Sequence, residues 1–340
     1  MQHEPHAGAE PVTRVPADGQ VQAGPRLPVA GVDVAKAQLE LFVDTLDLRL
    51  SVANDDAGVA RLLATLLGHR VRLVVVEATG RHHRRLAAAL LQAGVDVAVA
   101  NPQRVRAFAQ AGGKLEKTDR IDAAVLAHFA RAMGPRAAGK TPETQTVLSD
   151  LVSRRRGLVQ TRVAETNRAH DQLPKLAREQ SRKLLRLIEQ QVEDLDREIA
   201  RLIEADDDRG GKAKLIDSVP GIGPDTANQL VVELPELGRL NRQEIAKLAG
   251  LAPLNCDSGR YRGQRRIGGG RRDVRTCLYM AAFNARRNCD RFRRYFDGLI
   301  ARGKRYQVAM TACMRKLLVT LNQMVKNNAH WDPNLVGAPS

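Results

Sequence analysis

The residues of this sequence that could do chemistry are four carboxylates and one serine. Asp33 stands in the run GVDVAK, Glu77 follows the apolar run RLVVV, and Asp119 and Asp122 lie three apart in KTDRIDAAVLA. Three-residue spacing on a helix puts two side chains on one face, with Cβ atoms about 5–6 Å apart. Four converging carboxylates repel one another unless cations sit between them. Two Mg2+ ions about 3.5–4 Å apart answer that need and polarise a phosphodiester at the same time. Singly, each carboxylate has a plainer account: Asp33 as a strand-end turn residue, Asp119 as a partner for a helix N-terminus.

The serine is Ser258, in NCDSGRYRGQRRIGGGRRDVR, and seven arginines follow it through Arg275. A serine hydroxyl is a weak nucleophile until its proton is removed or a metal takes its oxygen. Arg260, Arg262, Arg265, Arg266, Arg271 and Arg272 could neutralise a phosphate and the charge that accumulates on it during displacement. Glycines 268 to 270 allow a sharp turn or a close backbone approach. The same residues also describe a Ser-Gly turn beside a basic groove. Tyr261 is a second candidate nucleophile, and no histidine adjoins Ser258 in sequence to suggest a Ser-His-Asp triad.

A net charge of +16 and a pI near 10.3 make a polyanion the expected partner, because each neutralised phosphate releases counterions. With 43% hydrophobic but only 3% aromatic residues, the core must be built of Leu, Val, Ala and Ile, which favours helix-rich packing. The four cysteines form no CxxC pair and have no histidine at zinc spacing, which fits reduced thiols, a cytoplasmic location and no structural metal. No secretory leader and no run of apolar residues long enough for a membrane span is evident.

These residues need elements to position them. Residues 1–27 read as a disordered tail. In 28–142, VAGVDVA, QLELFVDTL and LRLSVA read as three adjacent antiparallel strands. Helix, strand, helix and strand follow in DDAGVARLLATLLG, VRLVVVEATG, RHHRRLAAALLQAG and VDVAVANP, and then a helix from KTDRIDAAVLAHFARAM. That order is the order of an RNase H-like α/β domain. In 143–208, Leu185, Ile188, Val192, Leu195, Ile199 and Leu202 repeat as a coiled-coil seam, with an earlier arm of Leu148, Leu151, Leu158 and Val163. Pro174 between the arms leaves a helical hairpin or a kinked rod, either suited to dimerisation. Residues 209–330 read as mostly helical, and 331–340 as a tail. Within the helical part LIDSVPGIGPDTANQLVVEL looks like a helix-hairpin-helix, whose Gly221 and Gly223 turn amides would face a phosphate.

GVDVAK, EATG and KTDRIDAAVLA, followed downstream by LAPLNCDSG, GGGRRDVR and GKRYQVAMTACMRKLL, resemble the DEDD-type insertion-sequence transposases and the related Piv DNA invertases. The resemblance runs from about residue 28 to 327 in the family's order. It implies a RuvC-like domain carrying Asp33, Glu77, Asp119 and Asp122 at the four acidic positions, and a C-terminal domain whose nucleophile is Ser258. It also implies a composite site, with the RuvC-like domain of one subunit meeting the serine domain of another in a dimer that assembles into a tetramer. Donor and target double-stranded DNA would be paired with a structured noncoding guide RNA. A hydrolytic junction resolvase and a noncatalytic nucleic-acid binder are the rival expectations.

Overall fold

The computed structural model describes residues 27–78, 82–113, 119–139, 142–169, 174–254, 257–258, 261–263 and 265–333, with backbone alone at 119–121, 257–258 and 261–262. The expected N-terminal tail, but for Leu27, and the end of the C-terminal tail lie outside the described residues. The chain divides into two compact units, residues 1–140 and 141–340.

The first unit is a mixed α/β sandwich around a five-stranded sheet of order β3-β2-β1-β4-β5. Its elements are β1 (Val29–Val34), β2 (Gln38–Val43), β3 (Leu48–Ala53), α1 (Asp56–Gly68), β4 (Leu73–Glu77), α2 (His83–Gln92), β5 (Asp96–Ala100), α3 (Pro102–Ala111) and α4 (Asp119–Met133). The first three strands pair antiparallel, while β4 pairs parallel to β1 and β5 parallel to β4. The parallel strands are nearly all apolar because both faces are covered. One face sets Val32, Val74, Val76 and Val97 against Leu62 and Leu66 of α1 and Leu86 and Leu90 of α2. The other sets Val29, Leu73, Val75 and Ala98 against Val105 of α3 and Leu126, Phe129 and Ala130 of α4.

The second unit is helical. It holds α5 (Glu143–Arg168), α6 (Lys175–Glu204), α7 (Asp207–Asp217), α8 (Pro224–Glu233) and α9 (Arg242–Leu248). Four two-residue strands follow: β6 (Pro253–Leu254), β7 (Asp257–Ser258), β8 (Tyr261–Arg262) and β9 (Arg266–Ile267). The last elements are α10 (Arg272–Asn288), α11 (Asp290–Ala301) and α12 (Tyr306–Asn327). Pro174 caps α6 instead of kinking a continuous rod, so the two long arms form a hairpin. Ile188 and Val192 of the seam are buried against Leu158, and Ile199 against Leu148 and Val152, all within one chain. Towards the end of α6 the buried position moves from Leu202 to Ile203. An α-helix turns every 3.6 residues, so a strict heptad drifts off the contact line by about 20° per repeat.

Candidate active site

The four expected carboxylates all fall in the first unit. The parallel ladder between β1 and β4 runs up to Val32 opposite Val76, and Asp33 and Glu77 are the next residue of each strand. Both therefore stand at carboxyl ends of adjacent parallel strands, and both are half-buried. Their face of the sheet is the one α4 covers: a Cβ built on Gly31, two residues before Asp33, would lie 2.2 Å from the Ala123 carbonyl oxygen and 2.6 Å from the Leu126 Cβ. Only glycine lets the helix come this close.

The direction of α4 follows from its other end. Arg131, in its last turn, reaches back to the start of the sheet, where its guanidinium donates to both carboxylate oxygens of Asp44 at 2.7 and 3.0 Å and to the Leu27 carbonyl at 2.9 Å. Burial raises the Asp44 pKa, but the Arg131 hydrogen bonds and charge, with the Val29 amide, more than offset it and hold the carboxyl below its usual range. With Arg131 near the start of β1 and Ala123 over Gly31, the first turn of α4 lies towards the carboxyl end of β1. Asp119 and Asp122 open that helix; Asp122 is half-buried, and the Asp119 side chain lies outside the described residues.

A further carboxylate, which the sequence reading did not single out, joins this face. Glu40 of β2 is the register partner of Asp33, and it accepts a hydrogen bond from Gln38 Nε2 at 2.9 Å. The signal for it was the alternation of QLELFV, which puts Glu40 and Phe42 on the same side. Among the described residues no three His, Cys, Asp or Glu side chains form a metal-holding group. The donor chemistry nonetheless suits a hard divalent cation, since carboxylate oxygens on two strand ends and one helix start are what Mg2+ prefers to nitrogen or sulfur.

Ser258 belongs to the second unit, on a narrow arm made of two nested ladders. Pro253 pairs with Ile267 and Leu254 with Arg266, while further along Asp257 pairs with Arg262 and Ser258 with Tyr261. The two candidate nucleophiles are thus direct cross-strand neighbours; their side chains lie outside the described residues, as does Arg260 altogether. The root of the arm is a close crossing of two chain segments. Gly250 and Gly270 both have positive φ, 68° and 62°, and a Cβ on Gly270 would lie 2.2 Å from the Gly250 nitrogen. The Gly-Gly-Gly run thus has the sharp turn and close approach the sequence allowed, here against the protein's own backbone.

The arginines divide by what holds them. Arg265 and Arg266 are exposed on the arm. Arg271 instead makes two 2.6 Å hydrogen bonds to Glu236 and a third to the Glu233 carbonyl at 3.1 Å. Burial raises the Glu236 pKa, and the paired guanidinium outweighs it, so the net direction is down. Arg272 begins α10 and lines a cleft with Gln145 and Ser149. Two arginines of α5 are committed to ion pairs: Arg155 pairs with Asp196 and, at 3.6 Å, with Asp225, and Arg156 pairs with Glu233 and, at 2.7 Å, with Asp273. Beside them burial pushes the Cys277 thiol up to about 12, which makes it an inert packing residue.

The helix-hairpin-helix glycines differ from each other. Gly221, at φ 92°, packs on α10, where a Cβ would lie 2.7 Å from the Asn284 carbonyl oxygen. Gly223 is the exposed N-cap of α8, but Asp225 already occupies that helix's first turn. No helix among the described residues is long and apolar enough to cross a membrane.

Comparison with known proteins gives this geometry a context. A family model described as transposase, for the DEDD transposases of IS110 type, matches residues 30–177, which include all four acidic positions. A second, described as Transposase IS116/IS110/IS902 family, matches residues 213–297 and includes the arm. The chain is 24% identical over 315 residues to the pilin gene-inverting protein of Moraxella lacunata, covering 90% of this chain and 98% of that protein. The corresponding protein of Moraxella bovis matches to the same extent. An uncharacterized protein of insertion element IS116 from Streptomyces clavuligerus is 29% identical over 43% of this chain and 36% of its own length. With the two models spanning both units in order and together more than half of the sequence, the chain belongs to the IS116/IS110/IS902 transposase family and is a DNA recombinase.

Proposed function

We propose that this transposase cuts and rejoins DNA through a covalent link to Ser258, in a site completed by the carboxylates of an RNase H-like, RuvC-like first unit. The observation that carries the reading is the convergence of β1, β4 and the start of α4, the elements bearing Asp33, Glu77, Asp119 and Asp122, at one end of the sheet. Mg2+ held by these carboxylates would polarise the scissile phosphate and lower the charge cost of displacement. The Ser258 oxygen attacks phosphorus, its proton passes to a base, and the bond from phosphorus to the deoxyribose oxygen breaks, leaving a free strand hydroxyl. In rejoining, a hydroxyl of another strand attacks the phosphoserine phosphorus and Ser258 recovers its proton. Each step exchanges one phosphodiester for another, so no external energy source is needed.

Arg265 and Arg266, exposed on the arm and outside the ion pairs described, suit the flanking phosphates. Donor and target DNA are the substrates in this reading, a structured RNA supplies sequence choice, and protomers assemble so that the carboxylates of one serve the serine of another. The test is a denaturant-resistant protein–DNA adduct formed with end-labelled substrate, the copurifying nucleic acid retained, and Mg2+. Wild type should form it and Ser258→Ala should not. Strand cleavage without any adduct in either would replace this reading with water attack and a structural serine.

A further inference from the structure

Between the root of the arm and α12 lies a groove of about 680 Å³ whose walls have two characters. One part of its lining is apolar: Ile267 of β9 from one side, and Val308, Ala312 and Val319 along one face of α12 from the other. Val308 is 53% exposed and Ile267 37%, so both leave aliphatic surface open to an occupant of the groove. Another part is cationic: Arg265 and Arg266 on the arm, Arg315 and Lys316 on α12. No carboxylate lines it among the described residues. Lys316 stands with its ammonium 4.0 Å from the centre of the Tyr295 ring. Burial lowers its pKa, and neighbouring Arg291 lowers it further, so an anion beside it would favour its charged form.

A ligand that satisfies both parts needs a flat apolar body and more than one negative charge beside it. A segment of folded protein without carboxylates would bury these cations unpaired, which is costly. Duplex DNA meets the cations but not the apolar part, because its bases are stacked and show only their edges. An unpaired nucleotide meets both, with its base against the aliphatic side chains and its phosphates on the arginines. Gln307 and Thr311, also lining the groove, offer hydrogen bonds to a base edge. Pro253 and Ile267, a register pair at the root of the arm, form part of the wall, so the occupant belongs to DNA near the strand that Ser258 would meet.

We infer that this groove receives one unpaired nucleotide of the substrate DNA, held out of the duplex beside the arm. The inference rests on the proposed role of the arm, and binding can be separated from chemistry. Fluorescence anisotropy with full-length protein would compare a fully paired duplex with the same duplex carrying one unpaired 2-aminopurine. The unpaired nucleotide should tighten binding about tenfold, the scale of one base on a protein platform, and its fluorescence should change on binding. Ala312→Phe should fill the groove and return the bulged duplex to the affinity of the paired one. Val308→Glu, at an exposed position that leaves folding unburdened, should weaken the bulged duplex more than the paired one. Equal affinity for both duplexes, no measurable binding, or a preference that survives both substitutions would overturn the inference. Tighter binding of the same bulge in RNA would give the groove to RNA instead, and a change of oligomeric state with DNA binding unmoved would make it a protein contact. Ser258→Ala should keep the preference. Loss of the preference while the adduct still forms would sink the groove alone, and a missing wild-type adduct with the preference intact would sink only the serine mechanism.

Discussion

Gly31 shows how a residue with no chemistry of its own can control the site. Any side chain there drives Ala123 and Leu126 away from β1, and with them the first turn of α4 that carries Asp119 and Asp122. Gly31→Ala is therefore expected to cost about 1–3 kcal/mol, as overpacking does, and to reduce strand exchange beyond what the lost stability explains. Urea unfolding alongside a recombination assay separates the two effects. Arg131 fixes the other end of the helix, and its partner gives an acid signature. The Asp44 pKa is lower in the folded chain than in the unfolded one, so its contribution to stability is fully present above the unfolded value. It is lost as pH falls through the folded value, which places the loss below about pH 4. Arg131→Gln should flatten that acid limb in urea midpoints measured from pH 3 to 7, and an unchanged limb would show that Asp44 is not so held.

At the scale of elements, the α5–α6 hairpin is expected to be stabilised chiefly by its internal seam. Ile199→Ala should cost about 2–5 kcal/mol, as truncation in a core does, because Ile199 is buried among Leu148, Val152 and Val232. Leu187→Ala, on a residue 51% exposed, should leave the unfolding midpoint of the protomer nearly unchanged. This hairpin also shows what the sequence could carry. The seam from Leu185 to Ile199 was legible because helical spacing is local, and the strands from Val29 to Ala100 were legible because VAGVDV and LVVVE are apolar and β-branched without interruption. The partner of the seam was not, since a heptad pattern does not say whether α5 or another copy covers it. Nor was the fate of each arginine: Arg271 and Arg265 sit in near-identical local sequence, yet Glu236 takes the first and solvent the second. Glu40 was missed for the same reason, because cross-strand pairing with Asp33 appears only once the hairpin register is set.

For the whole molecule, the residues proposed for one reaction lie in two separate compact units, residues 1–140 and 141–340. If the site is shared between protomers, Asp33→Asn and Ser258→Ala, each inactive alone, should recover part of the strand exchange when mixed before assembly. No recovery, from proteins shown to assemble, would mean that each protomer uses its own carboxylates and serine. The central claim is tested most directly by digesting the trapped protein–DNA adduct and locating the nucleotide by mass spectrometry. The account predicts it on the peptide that spans Asp257 to Arg260, attached to Ser258. Attachment at Tyr261, or completed recombination by a Ser258→Ala protein, would contradict it.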